Sequence, residues 1–106
     1  MLSIDDFRKV ELKTAKIIDV QEIPGADRIW KLSVDVGTET KQIVAGIKLF
    51  YTREQLVGRS VVVVNNLAPS VIRGVESCGM LLAAKDGSAL SLVTVDRDVP
   101  AGSPIG

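Results

Sequence analysis

Three observations predict an all-β fold that closes into a small barrel. Apolar and polar residues alternate with period two along most of the chain. A β-branched run, Val61 to Val64, is apolar on both faces. The one helix signal, a capping box opening at Thr52, is stopped by Gly58 and leaves room for a very short helix only. The 106 residues are expected to form one domain, 1–106, with 46% hydrophobic and 25% charged residues, the balance of an ordinary globular protein.

The first strand is long. Val10, Leu12, Ile18 and Val20 read as one face and Glu11, Lys13 and Asp19 as the other, with Thr14-Ala15-Lys16 breaking the phase. Such a break predicts a bulge that lets the sheet curl. Trp30, Leu32, Val34 and Val36 alternate with Lys31, Ser33 and Asp35, which puts Trp30 in phase with the core. Gly37 to Thr40 turns the chain into a third strand over 41–47, giving a hairpin.

Thr52-Arg53-Glu54-Gln55 reads as a capping box, and Gly58 supplies a left-handed stop, so the helix between is very short. Val61 to Val64 follows as a buried central strand. Met80 to Ala84 makes a further strand, Asp86-Gly87 signals a type I′ turn, and Leu90 to Val95 returns. Pro100, Gly102 and Pro104 end regular structure. Three strands, a short helix between strands 3 and 4, further strands and terminal extensions match a five-stranded Greek-key barrel of OB type. A generic small sandwich is the competing architecture.

Composition restricts the chemistry. Histidine is absent, which removes the commonest general base and the usual nucleophilic triads. No Cys/His cluster exists to hold zinc, so no metal or other cofactor is expected. Asp27, Asp35 and Glu76 are scattered, and Gly74 and Gly79 are not followed by the Lys-Ser/Thr pair of a phosphate loop. The expectation is a binding module, not an enzyme. The single cysteine, Cys78, cannot form an internal disulfide and points to a reducing, cytoplasmic setting; no run reaches the roughly 20 apolar residues of a membrane span. Cys78 itself reads as a small core residue.

Net charge is zero, yet residues 8–85 carry 12 Lys/Arg against 8 Asp/Glu while both termini are acidic. Most of these bases are ordinary surface charges. Lys31 and Lys41 fall on strands two and three, around which OB barrels build their ligand face; Arg28 precedes strand two, and Arg73 precedes the Ser77 loop. Met80 is either core filler or, turned outward beside Ser77, a polarizable platform for a base or ribose. Phe7, Trp30, Phe50 and Tyr51 are too few aromatics for a general single-strand binder, and fit better with recognition of a folded RNA's shape.

Five strings then occur in order: Ile4-Asp5-Asp6-Phe7 with Val10-Glu11-Leu12-Lys13; Ala26-Asp27-Arg28 with Leu32 and Val34-Asp35-Val36-Gly37; Gln42-Ile43-Val44-Ala45-Gly46-Ile47; Asn66-Leu67 with Pro69; and Arg73-Gly74 through Ser77, Gly79-Met80 and Leu82-Ala83-Ala84. Together they resemble the tRNA-binding domain found at the C-terminus of methionyl-tRNA synthetases, in stand-alone tRNA-binding proteins and in endothelial monocyte-activating polypeptide II-like proteins. The resemblance implies an OB barrel that binds the outside corner of tRNA without reading its anticodon, often as a homodimer. It implies tRNA contact at Arg73, Ser77 and Met80, and further at Asn66, Lys31 and Arg28. It implies dimer contacts at Ile4, Phe7, Val99 and Pro100. The corresponding function is an accessory module, the C-terminal domain or a separate β-subunit of a methionyl-tRNA synthetase, which raises the local tRNA concentration near a catalytic domain. The chain departs from the family at Ala68, Ser70 and Val71, where many members carry extra bases, and at Thr14-Ala15, where they have Val-Gly. A related group of export chaperones shares the barrel, so a homodimeric protein-binding module is the alternative. A purely dimerising appendage is the third reading.

Overall fold

The computed structural model describes residues 1–106. Its order is α1 (Ile4–Phe7), β1 (Leu12–Glu22), β2 (Trp30–Asp35), β3 (Thr40–Ala45), α2 (Arg53–Leu56), β4 (Ser60–Val64), β5 (Ser70–Ile72), β6 (Val75–Ser77), β7 (Met80–Leu81), β8 (Ala83–Asp86), β9 (Ala89–Leu92) and β10 (Pro104–Ile105). The main sheet runs β3-β2-β1-β4-β7, with β10 added to β1. The long β1 makes the curl possible. Its first half pairs with β4 and its second half with β2, so one strand serves both sides of an OB-like all-β barrel.

The bulge exists, but at Ile18 rather than at Thr14-Ala15-Lys16: the register with β2 slips between Ile17 and Asp19. The inward residues of β1 are therefore Ala15, Ile17 and Val20. Val10 lies before the strand and Ile18 is turned to solvent. The β2 alternation is as expected, with Trp30, Leu32, Val34 and Val36 all buried. They meet Ile17, Ile43, Leu56, Val61 and Val63 in one core, where each fully buried aliphatic side chain contributes about 1.5–3 kcal/mol.

The Thr52 capping box forms with both reciprocal bonds, and Gly58 takes a left-handed φ of 86°. The expected strand from Met80 to Ala84 is broken at Leu82. There the backbone bonds at once to Val62 and Val93, leaving β4 to start the β8–β9 hairpin. That hairpin turns at Gly87-Ser88, with a positive φ only at Gly87, so the type I′ expectation gives way to the type II′ sign pattern. Besides the β5–β6 hairpin, both terminal elements escaped the sequence reading. Ser3 caps the short helix α1 by accepting the Asp6 N–H, and Pro104-Ile105 pairs with Leu12-Lys13 where regular structure was expected to end. No helix is long and apolar enough to cross a membrane.

Candidate nucleic-acid interface

The region from Ser70 to Met80 closes the barrel. Ser70–Ile72 and Val75–Ser77 form a hairpin whose two turn residues, Arg73 and Gly74, both have positive φ (53° and 77°). Arg73 is the only non-glycine residue in that region of φ. Such a type I′ turn throws the Arg73 side chain outward at the tip. The chain then docks on the free edge of β3. Cys78 N–H donates to the Gln42 carbonyl (2.8 Å), and the Gln42 side-chain amide donates to the Glu76 carbonyl (2.9 Å). Two residues after Cys78, Met80 pairs with Val64 of β4. Residues 77–79 thus bridge the two edges, and a Cβ on Gly79 would lie 3.1 Å from both Ile43 Cδ1 and the Val64 carbonyl oxygen.

Ser77 is the pin of this seam. It is 3% exposed; its hydroxyl accepts the Val44 N–H (3.0 Å) and donates to the Gly79 carbonyl (3.3 Å). The side chain therefore orients the loop and is almost wholly withdrawn from solvent. Asn66 is likewise occupied. Its carbonyl accepts the Glu11 N–H (2.9 Å) and its amide donates to the Lys9 carbonyl (2.6 Å), tying the approach to β1. Cys78 is half-buried, and the hydrogen bond from its thiol to the Glu76 carboxylate (3.3 Å), then burial, raise its pKa, so it remains a neutral thiol.

The basic residues divide into paired and unpaired sets. Lys13, Lys48 and Arg53 sit within 4.0 Å of Glu11, Glu22 and Asp19 respectively. Arg28, Lys31 and Arg73 form no ion pair at all. Arg28 and Arg73 come together across one cleft of about 450 Å³, floored by Ala26, Ile29 and Ile72 and carrying Asp27 on its wall. Its apolar footing is the small cluster of Ile23, Ala26 and Val44, backed by Ile29 and Val75, which holds the 23–29 loop against β3 and β6. Lys31 stands opposite Val44 in the β2–β3 ladder, on the same outer face. Lys41 is instead tied to the Asn65 carbonyl (2.7 Å).

Met80 lies apart from this cleft. By register Ile105, Leu12, Val64 and Met80 form one cross-strand row on the outer face of β10, β1, β4 and β7. Met80 is 48% exposed there. Ile105 also lines a groove with Ile4, Phe7 and Val10, so Met80 continues an apolar strip that starts at α1. Val99 and Pro100 are elsewhere, in a separate cleft with Lys16, Asp35 and Ser60; the Pro100 carbonyl accepts the Thr14 hydroxyl (2.9 Å). The four expected dimer residues thus fall in two places.

Residues 12–104 match the family model described as "Putative tRNA binding domain". The methionine–tRNA ligase of Thermotoga maritima is 47% identical over 104 residues, covering 98% of this chain and 16% of that protein. That of Methanoregula boonei is 51% identical over 105 residues, 99% of this chain and again 16% of the ligase. The chain therefore spans about a sixth of the length of these relatives. Among solved structures, a MetRS-related protein from Pyrococcus horikoshii superposes with a TM-score of 0.93 at 33% identity, covering 100% of this chain and 98% of the other. The CsaA chaperone protein of Picrophilus torridus gives 0.91 at 26% identity over the full length of both. The family match covers residues 12–104 and the alignments nearly the whole chain, and the chain belongs to the family of tRNA-binding domains.

Proposed function

We propose that residues 1–106 act as a non-catalytic, cytoplasmic tRNA-binding OB-fold module, needing no cofactor, attached covalently or noncovalently to a methionyl-tRNA synthetase catalytic domain whose local tRNA concentration it raises. One observation carries the reading: Arg28 and Arg73 line a single cleft, Lys31 stands on the adjoining outer face opposite Val44, and none of the three forms an ion pair. Phosphates of a folded RNA supply the missing negative charge, and the cleft's apolar floor accepts ribose edges. Of the six expected contact residues, Arg28, Lys31 and Arg73 would touch tRNA directly. Ser77 and Asn66 would hold the loops in place, and Met80, which lies apart from the cleft in the row with Val64, would not touch RNA bound there.

The test is a tRNA titration at two salt concentrations. Three neutralised phosphates predict a slope of log affinity against log salt of about −3, so a fourfold salt increase weakens binding roughly sixtyfold. A salt-independent affinity would remove the phosphate contacts and the reading with them.

We also propose that the module is a homodimer, joined through the strip of Ile4, Phe7, Val10, Ile105 and Met80. Phe7 is 41% and Ile4 62% exposed, an apolar edge that an isolated barrel leaves in water. Sedimentation is expected to give twice the chain mass, and Phe7→Glu to give one; a monomeric parent protein would refute the interface. The same exposed strip, with the likeness to CsaA, favours a second reading as a protein-binding chaperone module. Suppression of client aggregation without any tRNA binding would establish that reading instead.

A further inference from the structure

The largest cavity in the molecule, about 670 Å³, lies outside the Arg28–Arg73 cleft, between the end of β1, the start of β2 and helix α2. Its size falls within the range of small-ligand sites. Trp30 forms its apolar wall. The indole N–H is already spent on the Tyr51 carbonyl (2.9 Å), which fixes the ring and leaves only its π face to offer. A cation already rests on that face: Lys48 Nζ is 4.9 Å from the ring centroid and 3.3 Å from the Glu22 carboxylate.

The charges decide what else could enter. Lys48 is matched by Glu22. Arg53 is matched by Asp19 (3.2 Å) and by the Val20 carbonyl (2.8 Å), and its hydrogen bond is the main cause that holds the Asp19 carboxyl below its usual pKa. Glu54, also on the wall, forms no ion pair. An incoming anion finds both cations taken and a free carboxylate opposing it. An incoming cation finds Glu54 unmatched, and an aromatic face whose resident ammonium shows that it accepts positive charge.

We propose that this cavity binds a basic side chain of a polypeptide partner, best an arginine. Its planar guanidinium would stack on Trp30 in exchange for Lys48 and pair with Glu22 and Glu54. The site goes beyond the tRNA reading and uses none of its residues.

Trp30 is the sole tryptophan, so intrinsic fluorescence reports on this wall alone. The probe is N-acetyl-argininamide, with adenosine monophosphate and N-acetyl-aspartamide in parallel. A saturable change is expected with the arginine derivative only. Glu54→Gln, an exposed and nearly isosteric change, is expected to weaken it about threefold, as for one solvent-accessible ion pair. Lys48→Met, which keeps the side-chain stem and the backbone bond from Lys48 N–H to the Arg28 carbonyl, removes the competitor and is expected to tighten binding about threefold. No saturable response, stronger binding of the monophosphate, or a loss of arginine binding in Lys48→Met would each overturn the proposal. The variant Arg28→Ala/Arg73→Gly retains the arginine response whether or not it retains tRNA, which keeps the two sites separable.

Discussion

Arg28→Ala combined with Arg73→Gly is expected to lower tRNA affinity about a hundredfold near 0.1 M salt, and to flatten the salt slope from about −3 to about −1. Each hydrogen bond from a guanidinium to a phosphate is worth about 1.5 kcal/mol, close to a decade of affinity. Each released counterion accounts for roughly 0.9 of slope. Glycine is the right replacement at 73. That residue holds a φ of 53°, which costs a side chain with a Cβ and costs glycine nothing. The hairpin is therefore kept or strengthened while the cation is lost, and weaker binding cannot be charged to unfolding. Arg97→Ala supplies the control. It removes one cation, half the charge change of the double variant, from an exposed pair with Asp96 outside the cleft lining, and should leave tRNA binding within twofold. Measured by filter binding across a salt series, equal losses in both variants would show a diffuse charge effect and rule out a site at the cleft.

The sequence made the barrel readable wherever local chemistry and burial agreed. Trp30, Leu32, Val34 and Val36 point inward because a hairpin of exact period two has only one face to bury. Thr52 and Gln55 satisfy each other's backbone within four residues, so their cap needs no tertiary partner. Failures came where the partner was distant. Inserting Ile18 as an extra residue flips every later side chain of β1, and only the β2 register reveals where it sits. The β5–β6 hairpin is too short and too exposed to alternate, and arginine is not a residue that advertises a left-handed turn. Ser77 was expected at the RNA surface only through the family resemblance; it is buried, its hydroxyl taking up the N–H of Val44 on the edge strand β3, 33 residues away. Composition likewise counted cations but could not say which of them meet. Lys16, Lys41, Arg59 and Lys85 form no ion pair either; the fold alone brings Arg28 and Arg73 to one cleft, and that convergence is what distinguishes a phosphate site from an evenly mixed surface.

Gly102→Ala is expected to destabilise the barrel by about 2–4 kcal/mol, the largest single-residue effect among the positions discussed. Two costs combine there. The φ of 85° disfavours any residue with a Cβ, and that Cβ would overlap the Val36 carbonyl oxygen while lying 2.8 Å from Gly37 Cα. Both obstacles are backbone, so no side-chain rotation relieves them. The packing is reciprocal, since a Cβ on Gly37 would lie 2.8 Å from the Ala101 carbonyl oxygen. This contact locks the tail over the barrel: Gly102 N–H donates to the Thr14 carbonyl (2.8 Å), and Ser103 N–H to the Thr14 hydroxyl (3.0 Å). Thr14 is 3% exposed beneath them, so a displaced tail strands its buried hydroxyl as well as the backbone. The damage should nonetheless stay remote from RNA recognition: the tail meets Val36 and Gly37 just past the C-terminal end of β2, whereas Arg28 and Lys31 stand at the N-terminal end of that strand and Arg73 on the β5–β6 turn. Urea unfolding is expected to show a lowered midpoint with unchanged slope, while the folded fraction binds tRNA normally at low temperature. Unchanged stability would mean that the tail is merely laid on the barrel and that residues 100–105 contribute nothing to its closure.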